Sequence, residues 1–217
     1  MKARTIILSA IFTTCIVSCK KNVETNANSG LDFQLKATNP SSVVARITST
    51  IVWDSGFVNA TQIKFEAKQN GNETEFKSNV DRHVDLFAAL ASIGAINKPT
   101  GSFDEVEFKI EAAATSNEPA FQLNGTINTI PVVFMIGNAF EIKSEQSQVT
   151  LSGADTALNK IDLSALTSGL SSADFANATR TNGTIIISLT SNINLFNTIL
   201  NNLQRQHETE VEVHHGH

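Results

Sequence analysis

Residue types that often carry chemistry are scarce in this 217-residue sequence, which contains no tyrosine, one tryptophan and two cysteines. Platforms that stack on sugar rings usually need tryptophan or tyrosine, so Trp53 is the single indole or phenol side chain that could form one. Its apolar neighbours on a predicted strand favour a place in the core instead. The composition therefore disfavours a dedicated sugar-binding platform.

Both cysteines lie within the first 19 residues. Lys2 and Arg4 give the chain a positively charged start, and residues 5–16 form an apolar stretch of signal-peptide length that is too short to span a bilayer permanently. A lipobox, Ile16-Val17-Ser18-Cys19, closes this stretch. We therefore predict cleavage before Cys19 and acylation of its thiol. An ordinary secretory leader cleaved elsewhere, or an amino-terminal membrane anchor, is the alternative.

Removal of residues 1–18 as a lipoprotein signal peptide leaves a mature chain of 199 residues (217 less 18) in which an acylated Cys19 is the remaining cysteine. Disulfides, zinc–thiolate sites, iron–sulfur clusters and cysteine nucleophiles are then excluded. Burial of acyl chains stabilises attachment by about 0.8 kcal/mol per methylene, so a multiply acylated cysteine stays at the membrane. Residues 19–30 are polar and rich in asparagine, which indicates a lipid-anchored tether.

The predicted mature chain is acidic. Of the 16 basic side chains, Lys2 and Arg4 leave with the leader, so 14 remain against 21 acidic ones and the net charge is −7. This balance argues against nucleic acid as a partner and against a polybasic contact with anionic lipid. Contact with the membrane is therefore assigned to the lipid on Cys19.

From Leu31 onward, apolar residues recur with a period of two, which is typical of half-buried strands. An Asn70-Gly71 pair between two such runs predicts a tight hairpin, because both residues tolerate the positive φ angles that the turn needs. The predicted strand segments are 31–36, 47–53, 63–68, 74–78, 101–111, 121–127, 132–136, 140–142, 149–151 and 183–190.

One amphipathic helix is predicted late in the chain, where Ile193, Phe196, Leu200 and Leu203 fall on one face. Ser191 or Asn192 could cap it, and its apolar stripe is expected to pack on a sheet. Many short strands with a single late helix predict an all-β fold, an antiparallel β-sandwich with short helical turns, over residues 31–206.

Two segments at which a predicted strand ends, 84–91 and 161–168, have similar sequences. Each is followed by a loop and then by a predicted strand that begins with a glycine, Gly101 or Gly183. The similarity raises an internal duplication of residues 31–114 and 120–206 as a hypothesis. Chance similarity between two corners at which a strand ends is the alternative.

Four motifs resemble those of small Bacteroidetes lipoproteins of uncharacterised function. They are Val84-Asp85-Leu86, Gly101-Ser102-Phe103 with its strand, Phe121-Gln122-Leu123-Asn124-Gly125-Thr126, and Thr181-Asn182-Gly183-Thr184-Ile185-Ile186-Ile187-Ser188. The resemblance covers most of the chain after Leu31. It implies a prealbumin-like or carboxypeptidase-regulatory-like sandwich held at the outer membrane, and it supplies no catalytic residues.

Two further expectations depend on this resemblance. Surface export in such lipoproteins usually follows a short acidic cluster after the cysteine. This chain has Lys20, Lys21 and a lone Glu24 instead, so the sequence does not decide between the periplasmic and the external face of the outer membrane.

Asp155-Thr156-Ala157, in a stretch predicted to be a loop (152–159), resembles an O-glycosylation acceptor. Thr156 is therefore a candidate modification site, with an unmodified polar loop as the alternative.

The carboxy-terminal residues 207–217 are rich in histidine and glutamate. If they are extended, glutamates share one face with His214, and imidazole with carboxylate suits Zn, Cu or Ni. A solvated edge strand with a frayed end is the alternative, because terminal residues are seldom preorganised. The candidate weak metal ligands are His207, His214, His215 and His217.

Local signatures of several enzyme classes are missing. The sequence contains no Gly-x-Ser-x-Gly elbow, no His-Glu-x-x-His motif and no glycine-rich phosphate loop. A triad around His83 with Asp81 or Asp85 is conceivable, but a corner histidine that makes structural hydrogen bonds is commoner. The sequence therefore favours a protein that is not an enzyme and that needs no cofactor.

Three glutamates, Glu105, Glu107 and Glu111, alternate with apolar residues on one predicted strand. Carboxylates on a flat strand face do not surround an ion, so we expect a solvated face rather than a calcium site.

These features together predict a lipid-anchored protein of the cell envelope with a structural or binding accessory role. An envelope protein or a glycan is the expected partner. A metal-binding lipoprotein that uses the carboxy-terminal histidines is the alternative function, and a hydrolase is the third hypothesis.

Overall fold

The computed structural model describes residues 30–38, 51–89, 91–206 and 211–215. The predicted leader, Cys19 and most of the predicted tether therefore lie outside the described residues, as do residues 47–50 of one predicted strand, His207 and His217.

Two β-sheets form the framework, which confirms the all-β sandwich. One sheet has four strands in the order β12-β9-β1-β4, and the other has eight, with the order β10-β11-β7-β6-β2-β5-β8 and with β3 paired to β2. The strands are β1 Gly30–Thr38, β2 Val52–Gln69, β3 Asn72–Asp85, β4 Ala91–Asn97, β5 Gly101–Ala112, β6 Phe121–Ile127, β7 Ile130–Ile136, β8 Phe140–Leu151, β9 Asp155–Asp162, β10 Arg180–Thr181, β11 Thr184–Ile187 and β12 Val211–His215.

Most strand pairs are antiparallel, as predicted, but β1 runs parallel to β9 and β7 runs parallel to β11. Strands from residues 31–114 and 120–206 occur in both sheets. The two segments are therefore interleaved in a single framework, and their origin by duplication stays a prediction.

Two long strands replace pairs of short predicted ones. In β8, the predicted segments 140–142 and 149–151 belong to one continuous strand. The sequence indicated two short segments because the inward-facing Ser144 is polar and interrupts the apolar period. Its hydroxyl donates to Asn159 Oδ1 at 2.7 Å, which satisfies it inside the sandwich. In β2, bulges between Trp53 and Ser55 and between Ala60 and Gln62 shift the register and hide the continuity of the strand.

The predicted hairpin is confirmed between β2 and β3. Asn70 and Gly71 have φ angles of 51° and 76°, as a two-residue turn of this hand requires. Trp53 is also placed as expected, with 3% of its surface exposed in the core.

A short helix, α1 (Ser172–Ala176), precedes the predicted amphipathic helix α2 (Ile193–Gln206). The α2 helix buries Leu195, Phe196, Ile199 and Leu203, whereas Ile193 is 48% exposed and does not join the core.

The Asn192 side chain does not cap α2. It accepts from Thr179 N and donates to the carbonyl oxygens of Thr179 and Ile186, so it ties the start of the helix to the neighbouring strands. None of the helices in the described part of the chain is both long and apolar enough to cross a bilayer.

The sandwich has two ends, named here by their strands. At the entry pole, Gly30 begins β1 opposite Asn97, and Gly101 pairs with Leu151. At the far pole, β1 ends at Thr38 and Ala112 pairs with Phe140. Backbone hydrogen bonds from Ala37 N to Leu86 O and from Leu86 N to Gly56 O join the two sheets at the far pole. The chain from the predicted tether therefore enters at one end of the domain.

Candidate functional site

A groove with a volume of about 580 Å³ lies at the far pole, between α2 and the first residues of β8. Its apolar lining comes from both elements and from the segment before α2. The lining residues are Ile136, Asn138, Ala139, Phe140, Glu141, Lys143, Leu189, Phe196, Leu200 and Gln204. Ligand sites in proteins commonly have volumes of this size.

The helix wall of this groove follows from residue spacing. Phe196, Leu200 and Gln204 recur every four residues and so form a straight stripe along α2. The Phe196 ring packs on Phe134 of β7 at a centroid distance of 5.8 Å, which fixes the helix against the larger sheet. Leu200 is only partly buried and borders the groove.

The other wall of the groove is the edge of β8. Phe140 lies on the inner face of the strand together with buried Ile142, whereas Glu141 and Lys143 lie on the outer face. Since residues from both faces line the groove, it runs along the strand edge rather than over one face. In the described part of the chain, β8 ends the larger sheet and is paired with β5 alone.

One large apolar side chain that lines this groove is exposed. Leu189 has half of its surface exposed, and it adds apolar surface to that of Phe196 and Leu200 on α2. Single exposed apolar residues are common, but Leu189 shares the groove with other apolar groups. The groove is therefore taken as the candidate binding site in the described residues.

A charged face covers the outer side of β3, β2, β5 and β8. Lysines occupy one row across these strands and glutamates occupy the next, because strand register places like charges opposite one another. The lysine row is Lys77, Lys64, Lys109 and Lys143, and the glutamate row is Glu75, Glu66, Glu107 and Glu145. Like charges directly opposite are destabilising, so the attraction between the rows must offset them.

Ion pairs link the two rows on this charged face. Lys109 Nζ lies 2.8 Å from Glu66 Oε1 and 2.5 Å from Glu107 Oε1, and Lys143 Nζ lies 2.9 Å from Glu107 Oε2. Burial alone would lower the pKa of Lys109, but hydrogen bonds to Glu107 and Glu66 outweigh it and raise that pKa above its usual range. For Glu107, burial raises the pKa, and hydrogen bonds from Lys109 and Lys143 outweigh it, so the pKa is lowered.

The three glutamates expected to form a solvated face all have lysine partners. Lys68 bonds to Glu105 at 2.7 Å, Lys64 pairs with Glu111, and Glu107 is only 14% exposed. The expectation of simple solvation was therefore wrong for Glu107. The charges on this face are largely neutralised by one another.

His83 is held by a different set of residues from the one considered for a triad. Its Nδ1 atom lies 3.1 Å from both Asn59 Oδ1 and Glu118 Oε2, and its ring stacks on Phe57 at a centroid distance of 4.5 Å. Asp85 instead accepts a hydrogen bond from Phe87 N. These contacts are those of a structural histidine at a strand corner.

Thr156 does not lie in the predicted loop. It is the second residue of β9, opposite Asp32 of β1 and His214 of β12. The loop prediction was wrong because polar residues of β9 are satisfied by partners across the fold, and they obscured the strand pattern. O-glycosylation of Thr156 stays a prediction.

Asp155, next to Thr156, forms a buried ion pair with Lys98 at the entry pole. Asp155 Oδ2 lies 2.7 Å from Lys98 Nζ, and neither side chain is exposed to solvent. Lys98 Nζ also donates to Gly153 O, and Ser152 N donates to Asp155 Oδ2. The ion pair thereby joins the β4–β5 connection to the turn between β8 and β9.

Residues 211–215 form an edge strand, which is one of the two alternatives that the sequence offered for the tail. The backbones of His214 and His215 pair with Thr156 and Asp155, so residues 211–215 form the edge strand β12. Among the side chains that the structure describes, no three His, Cys, Asp or Glu residues are grouped to hold a metal ion. Metal binding by the tail therefore stays a prediction.

Neither a family model, nor a curated protein, nor a solved structure matches this chain.

The groove was not found from the sequence, although the α2 stripe that forms one of its walls was. A period of four residues shows which side chains share a helix face. It does not show which of them packs on the sheet and which, like Leu200, borders open space.

Proposed function

We propose that this protein is a lipid-anchored component of the cell envelope with a binding accessory role and no catalytic activity. Acylated Cys19 would hold the chain at the outer membrane, and the groove beside α2 would receive a partner. The single observation that carries the proposal is that the tether and the groove lie at opposite ends of the domain. Gly30 enters at one pole, and the groove lies by Phe140 at the other.

The dimensions suit this arrangement. The nine residues of β1 separate the poles by about 30 Å at 3.3 Å per residue. Gly30 follows Cys19 by 11 positions, so the chain between them could extend by at most about 40 Å. The tether would therefore join the pole opposite the groove and leave the groove accessible to a partner.

The site residues support binding rather than catalysis. The contacts of His83 with Asn59, Glu118 and Phe57 hold its half-exposed ring against β2. Six of the ten residues that line the groove are apolar and four are polar, a mixture that suits recognition of a partner. An envelope protein or a glycan is the partner class, and the scarcity of tryptophan and tyrosine favours a protein.

The anchor is tested by a pair of cysteine variants expressed in a bacterium that acylates lipoproteins. We expect Cys19→Ala to leave the membrane fraction or accumulate as the unprocessed precursor, because no thiol remains at the lipobox. Cys15→Ala is the matched control, since it removes a thiol four residues earlier, and it should remain in the membrane fraction. Processing before residue 19 in both variants, with equal membrane recovery of the two processed chains, would contradict lipid anchoring.

The face of the membrane is tested by protease treatment of intact cells. Digestion of the wild-type protein from outside would place the groove in contact with extracellular partners. Protection that is lost only after the outer membrane is opened would place it in the periplasm.

A further inference from the structure

We propose that the groove binds an extended peptide segment of a partner protein, which adds a strand to the open edge of β8. The inference rests on the binding role proposed above and specifies its partner. The peptide backbone would pair with residues 140–143, and its apolar side chains would pack against the stripe on α2.

The open strand edge is the first argument for a peptide. The outer edge of β8 has no paired strand among the described residues, and a strand edge of this kind is a template for pairing with another chain. Phe140 and Glu141 come from opposite faces of β8, and both line the groove. The main chain between them therefore borders the groove, and the groups of alternate residues point away from β5.

The same edge argues against a purely apolar ligand. An acyl chain lying along β8 would displace water from these N–H and C=O groups without replacing its hydrogen bonds, and each group left unsatisfied weakens binding. An extended peptide supplies the missing donors and acceptors at the regular spacing of a strand. The main chain of a peptide thus matches the polar part of the groove.

The α2 stripe matches the side chains of such a peptide. Phe196 and Gln204 are eight residues apart, which corresponds to about 12 Å along the helix. Four extended residues span about 13 Å, and alternate side chains point the same way. A peptide of this length would direct two apolar side chains towards Phe196 and Leu200, next to exposed Leu189.

The rim of the groove limits the charge of the peptide. Lys143 and Glu141 lie on the outer face of β8, and Lys143 is already paired with Glu107. Opposite charges at the rim disfavour a strongly charged peptide of either sign. The expected ligand is a segment with alternating apolar and uncharged polar residues, such as threonine.

The test is selection from a random hexapeptide library on the purified full chain carrying Cys19→Ser. Ala139 is exposed and lines the groove, so Ala139→Trp should fill it without disturbing the core. Ala154, exposed at the entry pole, supplies the matched control Ala154→Trp. We expect alternating apolar sequences to be enriched by the Cys19→Ser chain and by the control, and at least tenfold less by Ala139→Trp.

A selected peptide should also slow hydrogen exchange at those main-chain amides of residues 140–143 that point away from β5, which alternate along the strand. Equal enrichment on all three proteins, or no enrichment on any, would overturn the proposal. Binding of lauric acid that is blocked by Ala139→Trp, with no peptide enriched, would replace the peptide by an acyl chain. Because Cys19→Ser removes the anchor, none of these outcomes depends on lipid attachment.

Discussion

At the entry pole, Lys98 and Asp155 are buried completely and lie 2.7 Å apart, whereas at the groove Leu189 leaves half of its surface exposed. A buried charge is tolerated only with its partner in place, so the entry pole is complete within the chain itself. The apolar lining beside the edge of β8 is not complete in the same sense, because no segment among the described residues buries it. The entry pole thus maintains the fold, and the groove is the part of the domain to which we assign the proposed binding role.

The largest expected effect is at the entry pole. Asp155→Asn or Lys98→Met should lower the free energy of unfolding by about 3–5 kcal/mol, because each leaves a buried polar or charged group without its ionic partner. The double variant Lys98→Met/Asp155→Leu should recover most of the loss, since no lone charge remains. Urea unfolding monitored by Trp53 fluorescence measures all of these variants. A single variant that costs less than about 1 kcal/mol would show that the pair is not buried as described.

An intermediate effect is expected on the charged face, where the ion pairs are partly screened by water. Because the folded-state pKa of Glu107 is lowered, its contribution to stability is present above its ordinary value of 4.5 and is lost as pH falls through the folded value. The wild-type protein should therefore lose stability below about pH 4.5. In Glu107→Gln, the free energy of unfolding that is lost on acidification should be smaller by about 1 kcal/mol. Urea unfolding between pH 3 and pH 7 measures the free energy of unfolding of both proteins as a function of pH.

Glu73→Gln on the exposed edge strand β3 is the control for this pH experiment. It removes one carboxylate from the outer surface, where charges contribute little to stability. An acid dependence identical in wild type and Glu107→Gln would contradict a role for the ion pairs of Glu107.

The smallest effect on stability is expected at the groove. Leu189→Ser should change the free energy of unfolding by less than about 0.5 kcal/mol, because the side chain is half exposed. Leu203→Ala on the buried side of α2 should cost about 2–4 kcal/mol by contrast. Thermal unfolding distinguishes the two, and Leu189→Ser should still weaken binding of a selected peptide. A loss above about 1.5 kcal/mol for Leu189→Ser would assign this residue to the core instead.

The strands that follow a period of two were predictable because burial of one face dictates the alternation, as in residues 31–36 and 101–111. Prediction failed where buried polar residues replace apolar ones. Ser144 is satisfied by Asn159, and Asp155 by Lys98, which is 57 positions earlier in the chain. Such partners come together only in the folded sandwich, so a local pattern assigned Thr156 to a loop.

The site was predictable only in part, for a related reason. The spacing of Phe196, Leu200 and Leu203 predicted a helix with an apolar face, and the helix is present. The groove depends on the distance between that helix and β8, which begins 53 positions earlier (Phe140 against Ile193). The charged face likewise depends on cross-strand register, which places Lys64 opposite both Lys77 and Lys109.

Intact-mass and peptide mass spectrometry of the protein purified from its native membrane tests the central claim most directly. The account predicts that the mature chain begins at Cys19 and that its amino-terminal peptide carries the mass of a diacylglyceryl group and its acyl chains. A chain recovered with an unmodified thiol at Cys19, or with residues 1–18 still attached, would contradict it.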